Sequence, residues 1–341
     1  MVLGRAGLCV AAARAGLAAA QPPADHLGRA GPPGRRPRPG ADPAAPPWVG
    51  YWPAAAGLAV FAWLELVYPF RDQPYTLFAF FLLYAWAQVV AAFRYGERWY
   101  ARGDGFEVYS TLVGHRAPIG RRADGRLGLR NPLAGLAALR PEAGLVAVVC
   151  VLLGSTAFDG LSRTRWWNDL LLNADVTAST LLGTAGLLGC IGVVAATYTA
   201  ATRAGEEYRR GGRPANPNDR LDRQFVHSLV PILVGYTVAH YFSLLIFQGQ
   251  MGYILASDPF GQGWNLFGTA DWKMNLLVVS TSAIALVQVG SIVTGHVLGV
   301  ICAHDRAVAL FKGRDRARGQ VPLLVTMVFY TLSGITLLVG T

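Results

Sequence analysis

The chain has 341 residues, of which 53% are hydrophobic and 15% charged, with a formal net charge of +10. A water-soluble chain of this length would divide into two domains, but the apolar residues come in long uninterrupted blocks that exclude that reading. No zinc knuckle, RNA-recognition signature or basic heptad accompanies the charge, so a nucleic-acid partner is excluded and the charge is assigned to loops beside anionic headgroups.

Residues 1–47 come first and stand apart. They are rich in Ala, Gly, Pro and Arg, as in GPPGRRPRPGADPAAPP. Such a segment cannot bury enough apolar surface to fold. Arg14 interrupts its only candidate apolar core, which makes it a poor signal peptide. It is expected to be a disordered tail or the product of a misassigned start.

Residues 48–341 read as one polytopic domain. Apolar runs lie at about 51–69, 75–93, 143–158, 178–202, 224–248, 276–303 and 321–340. A helix needs roughly 20 apolar residues to cross the hydrocarbon core. In lipid the backbone must satisfy its own hydrogen bonds, so these runs are predicted to be helices. The third run is short unless Asp159 and Gly160 sit at its rim. The expected fold class is therefore an all-α integral membrane protein, a bundle of about seven transmembrane helices.

Basic residues give the expected orientation. Gap 94–142 holds nine arginines, gap 203–223 six, and gap 304–320 four arginines and one lysine. The other gaps hold only Arg71, then Arg163 and Arg165, then Lys273. Cytoplasmic loops retain positive charge. Loops 94–142, 203–223 and 304–320 are thus predicted to be cytoplasmic, with the amino terminus inside, the carboxyl terminus outside, and the plasma membrane as location.

Local features follow in chain order. Pro69 and Pro74 predict a tight turn between the first two spans. PLAGLAAL, 132–139, reads as a segment lying flat at the interface, and Trp166 and Trp167 suit an aromatic belt. Gly183, Gly186 and Cys190, and then Ser291, Gly295 and Gly299, form small-residue stripes that allow close helix crossings. Pro231 is expected to bend the fifth span. Gln288 is expected to hydrogen-bond to a neighbouring helix. Cys9, Cys150, Cys190 and Cys302 show no CxxC spacing and read as small apolar fillers.

Intramembrane polar residues are costly and mark function. One group is expected at the external side: His240, Tyr241, Gln248 and Gln250 on the fifth span, Asp159 on the third, Glu65 on the first, and Asp258 and Asp271 in the loop that follows. His240 could act as a general base oriented by Asp159 or Glu65, with Tyr241, Gln248 and Gln250 binding substrate. Alternatively Asp258, Asp271 and His240 could hold a divalent metal that supplies hydroxide. A second group lies at the cytoplasmic side. His227 and His296, on different helices, could be paired by packing to hold haem or a metal, which leaves a redox or metal-handling protein as the alternative function. His304, Asp305 and Arg306 read as a charged interface anchor. Visible internal repeats of the transporter kind are lacking, so a small-solute transporter or a scaffold for a respiratory complex ranks behind these.

The blocks GSTAFDG, FVHSLVPI, AHYFSLLIFQGQ, SDPFGQGWNLFGTAD and VGSIVTGHVLGVICAHDRA resemble a family of actinobacterial multi-pass membrane proteins often named fenitrothion hydrolase. The resemblance covers about residues 50–340. It implies hydrolysis of an organophosphorus triester with release of a phenol, and it carries no catalytic residues over to this chain. Triester hydrolysis needs an activated water and a group that stabilises the leaving phenolate.

Overall fold

The computed structural model describes residues 46, 48–121, 127–129, 131–137, 139–212, 214, 216–311, 313 and 315–339. The expectation for residues 1–47 falls, Pro46 apart, outside them. Nine helices carry the argument: α1 Trp52–Leu66, α2 Pro74–Tyr95, α3 Gly105–Gly114, α4 Leu145–Ser162, α5 Arg165–Leu171, α6 Val176–Gly205, α7 Val230–Ser257, α8 Thr281–Leu310 and α9 Arg316–Val339. A two-stranded antiparallel hairpin, β1 Ile119–Arg121 with β2 Leu127–Leu129, interrupts the helical pattern between α3 and α4.

Among the described residues, six helices are long and apolar enough to cross a bilayer: α2, α4, α6, α7 with the turns that lead into it, α8 and α9. The chain is accordingly a multi-pass membrane protein. The first apolar run departs from expectation, because α1 has only 15 residues, about 22 Å at 1.5 Å per residue. The third run is longer than it looked, since α4 continues through Asp159 and Gly160 to Ser162.

Local chemistry sets the helix starts. Proline stands in the first turn of α1, α2 and α7, where its missing N–H is no loss. Side-chain oxygens of Asp104, Asp175 and Ser280 accept from the backbone N–H groups of Phe106, Ala178 and Ala283, satisfying groups that the helix leaves open. Pro231 does not sit mid-helix. A short helix, Leu221–Phe225, and a 3-10 turn, Val226–Leu229, precede it, so the irregularity lies just before α7.

The hydrophobic run of α4 lies at the centre of the bundle, with Leu145, Val148, Val149 and Cys150 buried. It packs against α1, α6 and α9, while α7 packs most closely against α8. At one end of α1, Tyr51 N–H donates to Ala143 O at 2.8 Å, and at the other end Val67 packs on Gly183 of α6. Trp63 Nε1 donates to Thr184 Oγ1 at 2.9 Å nearby. Gly144 adopts φ +82°, and a Cβ there would stand 2.5 Å from Trp52 N. Only glycine accepts both the backbone conformation and the crowding.

The small-residue stripes sit at helix crossings. A Cβ on Gly235 would meet Ser291 O at 2.5 Å, one on Gly295 would meet Pro231 O at 2.6 Å, and one on Gly299 would meet Ser228 O at 2.7 Å. These contacts define an antiparallel α7–α8 crossing with backbones touching. On α6, Gly186 leaves room for the rings of Phe158 and Trp167. Trp167 is therefore a core residue at 6% exposure, whereas Trp166 is 64% exposed as a belt residue would be. Residues Pro132–Ala137 form a helix whose Leu136 is fully buried, so one side of this segment packs on the bundle.

Candidate functional site

Helices α4, α6, α7, α8 and α9 enclose a cavity of about 120 Å³. Its walls are mainly apolar, with Leu153, Val194, Ile232, Ile292 and Leu337 among them. Asp159, Arg163 and His240 supply its charged or titratable groups, and Thr156, Tyr236, Tyr330 and Ser333 supply hydroxyls. The site lies near the ends of α4 and α9, where Gly160 abuts Leu337.

The helices bring His240 and Asp159 together. His240 Nδ1 stands 3.1 Å from Asp159 Oδ2, and Arg163 Nη2 donates to Asp159 Oδ1 at 3.1 Å. The carboxylate thus bridges an imidazole and a guanidinium, with its side chain only 15% exposed. A carboxylate on Nδ1 fixes the tautomer that leaves the Nε2 lone pair free to take a proton. The Tyr241 ring lies edge-on to His240 at 4.6 Å. Glu65, half-buried on α1, lies within electrostatic range of Asp159 and Tyr241.

Other residues expected at this site lie elsewhere, for a geometric reason. α7 runs straight on past His240 to Ser257, so Asp258 stands about 27 Å further along the axis at 1.5 Å per residue. Its two carboxylate oxygens accept from Gln262 N–H and Gly263 N–H, each at 2.8 Å, and Asp271 is exposed. The expected metal set of Asp258, Asp271 and His240 is therefore not assembled. Among the described residues no three His, Cys, Asp or Glu side chains come together as metal ligands. Gln248 and Gln250 lie beyond the cavity lining. The Gln250 amide exchanges hydrogen bonds with the backbone of Asn275 at 2.9 and 3.0 Å, clamping the following loop onto α7.

The second histidine group is also rearranged. The α7–α8 register sets Pro231 beside Gly295 and Ser228 beside Gly299. His227 is thus about one turn away from the level of His296, and the rings do not face one another as a haem pair would. His227 is buried, with Nδ1 on Gln224 O at 2.9 Å. His296 is 5% exposed, with Nδ1 on Ile292 O at 2.9 Å and its ring 5.8 Å from that of Tyr236. His296 Nε2 is buried without a partner. Asp305 is exposed, and His304 Nδ1 meets Gln320 Oε1 at 3.0 Å. Arg306 reaches inward to Gln224 Oε1 at 3.2 Å and Ala137 O at 3.0 Å, so it joins three segments rather than only anchoring to the interface.

Sequence reasoning missed Tyr236, Tyr330, Thr156 and Ser333. Tyr236 carried a signal, since it stands four residues before His240 on the same helix face. Ser333 and Tyr330 carried none, because nothing in the sequence says which face of the last helix turns toward Asp159.

No protein-family model matches the chain, and neither does any curated protein or solved structure. The resemblance to the fenitrothion hydrolase family thus rests on the sequence blocks alone.

Proposed function

We propose that the chain is a membrane-embedded hydrolase in which His240, held by Asp159, activates water against an apolar aryl ester such as an organophosphorus triester. The observation that carries this reading is the 3.1 Å contact between His240 Nδ1 and Asp159 Oδ2, made by an imidazole that lines a cavity. In the reaction, His240 Nε2 takes a proton from water as the water oxygen bonds to phosphorus. The bond from phosphorus to the aryl oxygen breaks, and the phenolate departs. Asp159 stabilises the imidazolium until it returns the proton to the leaving group.

Cavity size constrains the pose. Sites that enclose a drug-sized ligand span roughly 300–1,000 Å³, and this one holds about 120 Å³. One aryl or alkyl substituent fits inside, and the reacting phosphorus sits at the mouth beside the dyad. An uncharged aryl ester partitions into lipid, so a site at this depth meets its substrate at raised concentration.

The orientation belongs to the same reading. The dyad end faces outward, loops 94–142, 203–223 and 304–320 face the cytoplasm, and the membrane is the plasma membrane. Seven crossings are supported by α1, whose ends meet Ala143 at one side of the bundle and Gly183 at the other. Fifteen residues accomplish this with modest local thinning of the bilayer.

The test is release of 4-nitrophenol from a dialkyl 4-nitrophenyl phosphate by purified protein in detergent. Turnover that is present in the native protein and lost in His240→Ala supports the reading. Turnover no faster than buffer, or unchanged in His240→Ala, removes it.

A further inference from the structure

Each hydroxyl in the cavity wall has a fixed use except one. Thr156 donates to Leu152 O at 2.8 Å, Tyr236 to Tyr330 O at 2.7 Å and Tyr330 to Val194 O at 2.9 Å. Asp159 engages both His240 and Arg163. Ser333 lines the same cavity, and its hydroxyl makes no hydrogen bond among the described residues.

A serine inside a helix normally donates to the carbonyl three or four residues back. Thr326 and Thr331, on the same helix, donate to Pro322 O and Met327 O at 3.0 and 2.9 Å. At Ser333 the carbonyl three back is Tyr330 O, whose two lone pairs are already engaged. The helix directs the Gly334 N–H at one, and the Tyr236 hydroxyl takes the other. Gly334 permits this approach, because a Cβ there would overlap the Tyr236 hydroxyl. Packing of α7 on α9 thus removes an acceptor from Ser333 and leaves its proton uncommitted.

Helix register sets the depth of this hydroxyl. Leu337 abuts Gly160, the neighbour of Asp159, and Ser333 stands four residues before Leu337. Tyr236, which meets α9 at Tyr330 and Gly334, stands four residues before His240. Ser333 is therefore about one helical turn, roughly 6 Å, below the His240–Asp159 pair. The rest of the wall includes Leu153, Val194, Ile232 and Ile292. A cavity with apolar walls and few placed polar groups takes its specificity from those groups.

We propose that Ser333 is the specificity residue of this cavity. Its hydroxyl donates to an oxygen or nitrogen acceptor on the buried substituent of a neutral ligand, roughly 6 Å from the reacting atom. The substrate class is then a neutral ester with one short, uncharged substituent whose tip accepts a hydrogen bond. A purely hydrocarbon substituent leaves the hydroxyl unpaired, and a charged one meets walls that do not solvate it. The inference rests on the hydrolase reading for the identity of the reacting atom, whereas the Ser333 contact is tested by binding alone.

The experiment titrates the full chain in detergent with cyclopentanone and with methylenecyclopentane, which has the same shape without the acceptor. Calorimetry against empty micelles gives both affinities. Ser333→Ala should weaken cyclopentanone binding about three- to tenfold, the net worth of one hydrogen bond. Methylenecyclopentane should bind both proteins alike, which shows that the cavity of the variant is intact. Equal effects on the two ligands, undiminished ketone binding, or no binding of either ligand by the native protein overturns the proposal. Nitrophenol release is read on the same samples. A ketone effect without turnover supports Ser333 as the group that reads the ligand and removes only the hydrolase reading.

Discussion

Asp159 holds His240 with one carboxylate oxygen and Arg163 with the other, both at 3.1 Å. The two partners compete for one negative charge, and this sets how the dyad responds to mutation. Asp159→Asn keeps the shape but removes that charge, and its amide presents either a donor or an acceptor to Nδ1. Release of nitrophenol should fall about 10²–10⁴-fold, up to the scale seen when the carboxylate that orients a histidine base becomes an amide. The residual rate should fall on acidification, because His240 must be unprotonated to take a proton from water. A rate that rises as pH falls would assign the imidazole the role of acid instead.

Arg163→Ala should behave differently. Its side chain is 58% exposed, so the pair contributes at most about 1 kcal/mol to stability. Thermal unfolding of this variant should match that of the native protein, while the carboxylate turns wholly toward His240. A large loss of stability would mean that Arg163 anchors the end of α4.

The α7–α8 crossing makes a sharper prediction about packing. Gly295→Leu forces a side chain where Pro231 O would lie 2.6 Å from Cβ. The helices must separate, at a cost of about 1–3 kcal/mol. Gly290 lies on the same helix with nothing within 4 Å of its notional Cβ. Gly290→Ala should therefore be neutral or stabilising. A thermal-shift comparison in detergent checks both, and equal destabilisation by the two variants would show that helix flexibility, not close packing, decides stability.

What the sequence reveals follows from which forces are local. Apolar run length depends only on neighbours along the chain, so α2, α4, α6, α7, α8 and α9 were legible. Small-residue spacing at Gly295 and Gly299 was legible for the same reason. Asp258 shows the limit. It is eighteen residues from His240 and on the same expected side of the membrane, but a straight helix carries it about 27 Å away. The contact of Asp159 with His240 was a possibility among four carboxylates. Only the packing of α4 against α7 selects it, and that packing is a property of the whole bundle. The partner of Arg306 was equally hidden, since Ala137 lies 169 residues earlier.

Arg306 separates orientation from stability. It donates to Gln224 Oε1 and Ala137 O, at 3.2 and 3.0 Å. Arg306→Lys keeps the positive charge that counts toward orientation but loses the planar fork that reaches two acceptors. Orientation should be unchanged and stability should fall by about 1–3 kcal/mol through the acceptors left open. A thermal shift for Arg306→Lys as small as that of an exposed arginine variant such as Arg210→Lys would show that the fork contributes nothing.

The proposed orientation can be read directly in intact cells with a membrane-impermeant maleimide. Gap 203–223 holds six arginines, whereas gap 249–275 holds only Lys273, and positive charge stays on the cytoplasmic side. Asp271 and Arg210 are both exposed and lie in these two gaps. Asp271→Cys should label from outside, and Arg210→Cys only after the membrane is opened. Both variants are made in a background with Cys9→Ser and Cys190→Ser, where the resident Cys150 and Cys302 are buried and should stay silent. The reverse pattern would turn the bundle over, placing the His240–Asp159 mouth toward the cytoplasm and sending the substrate in from the other side.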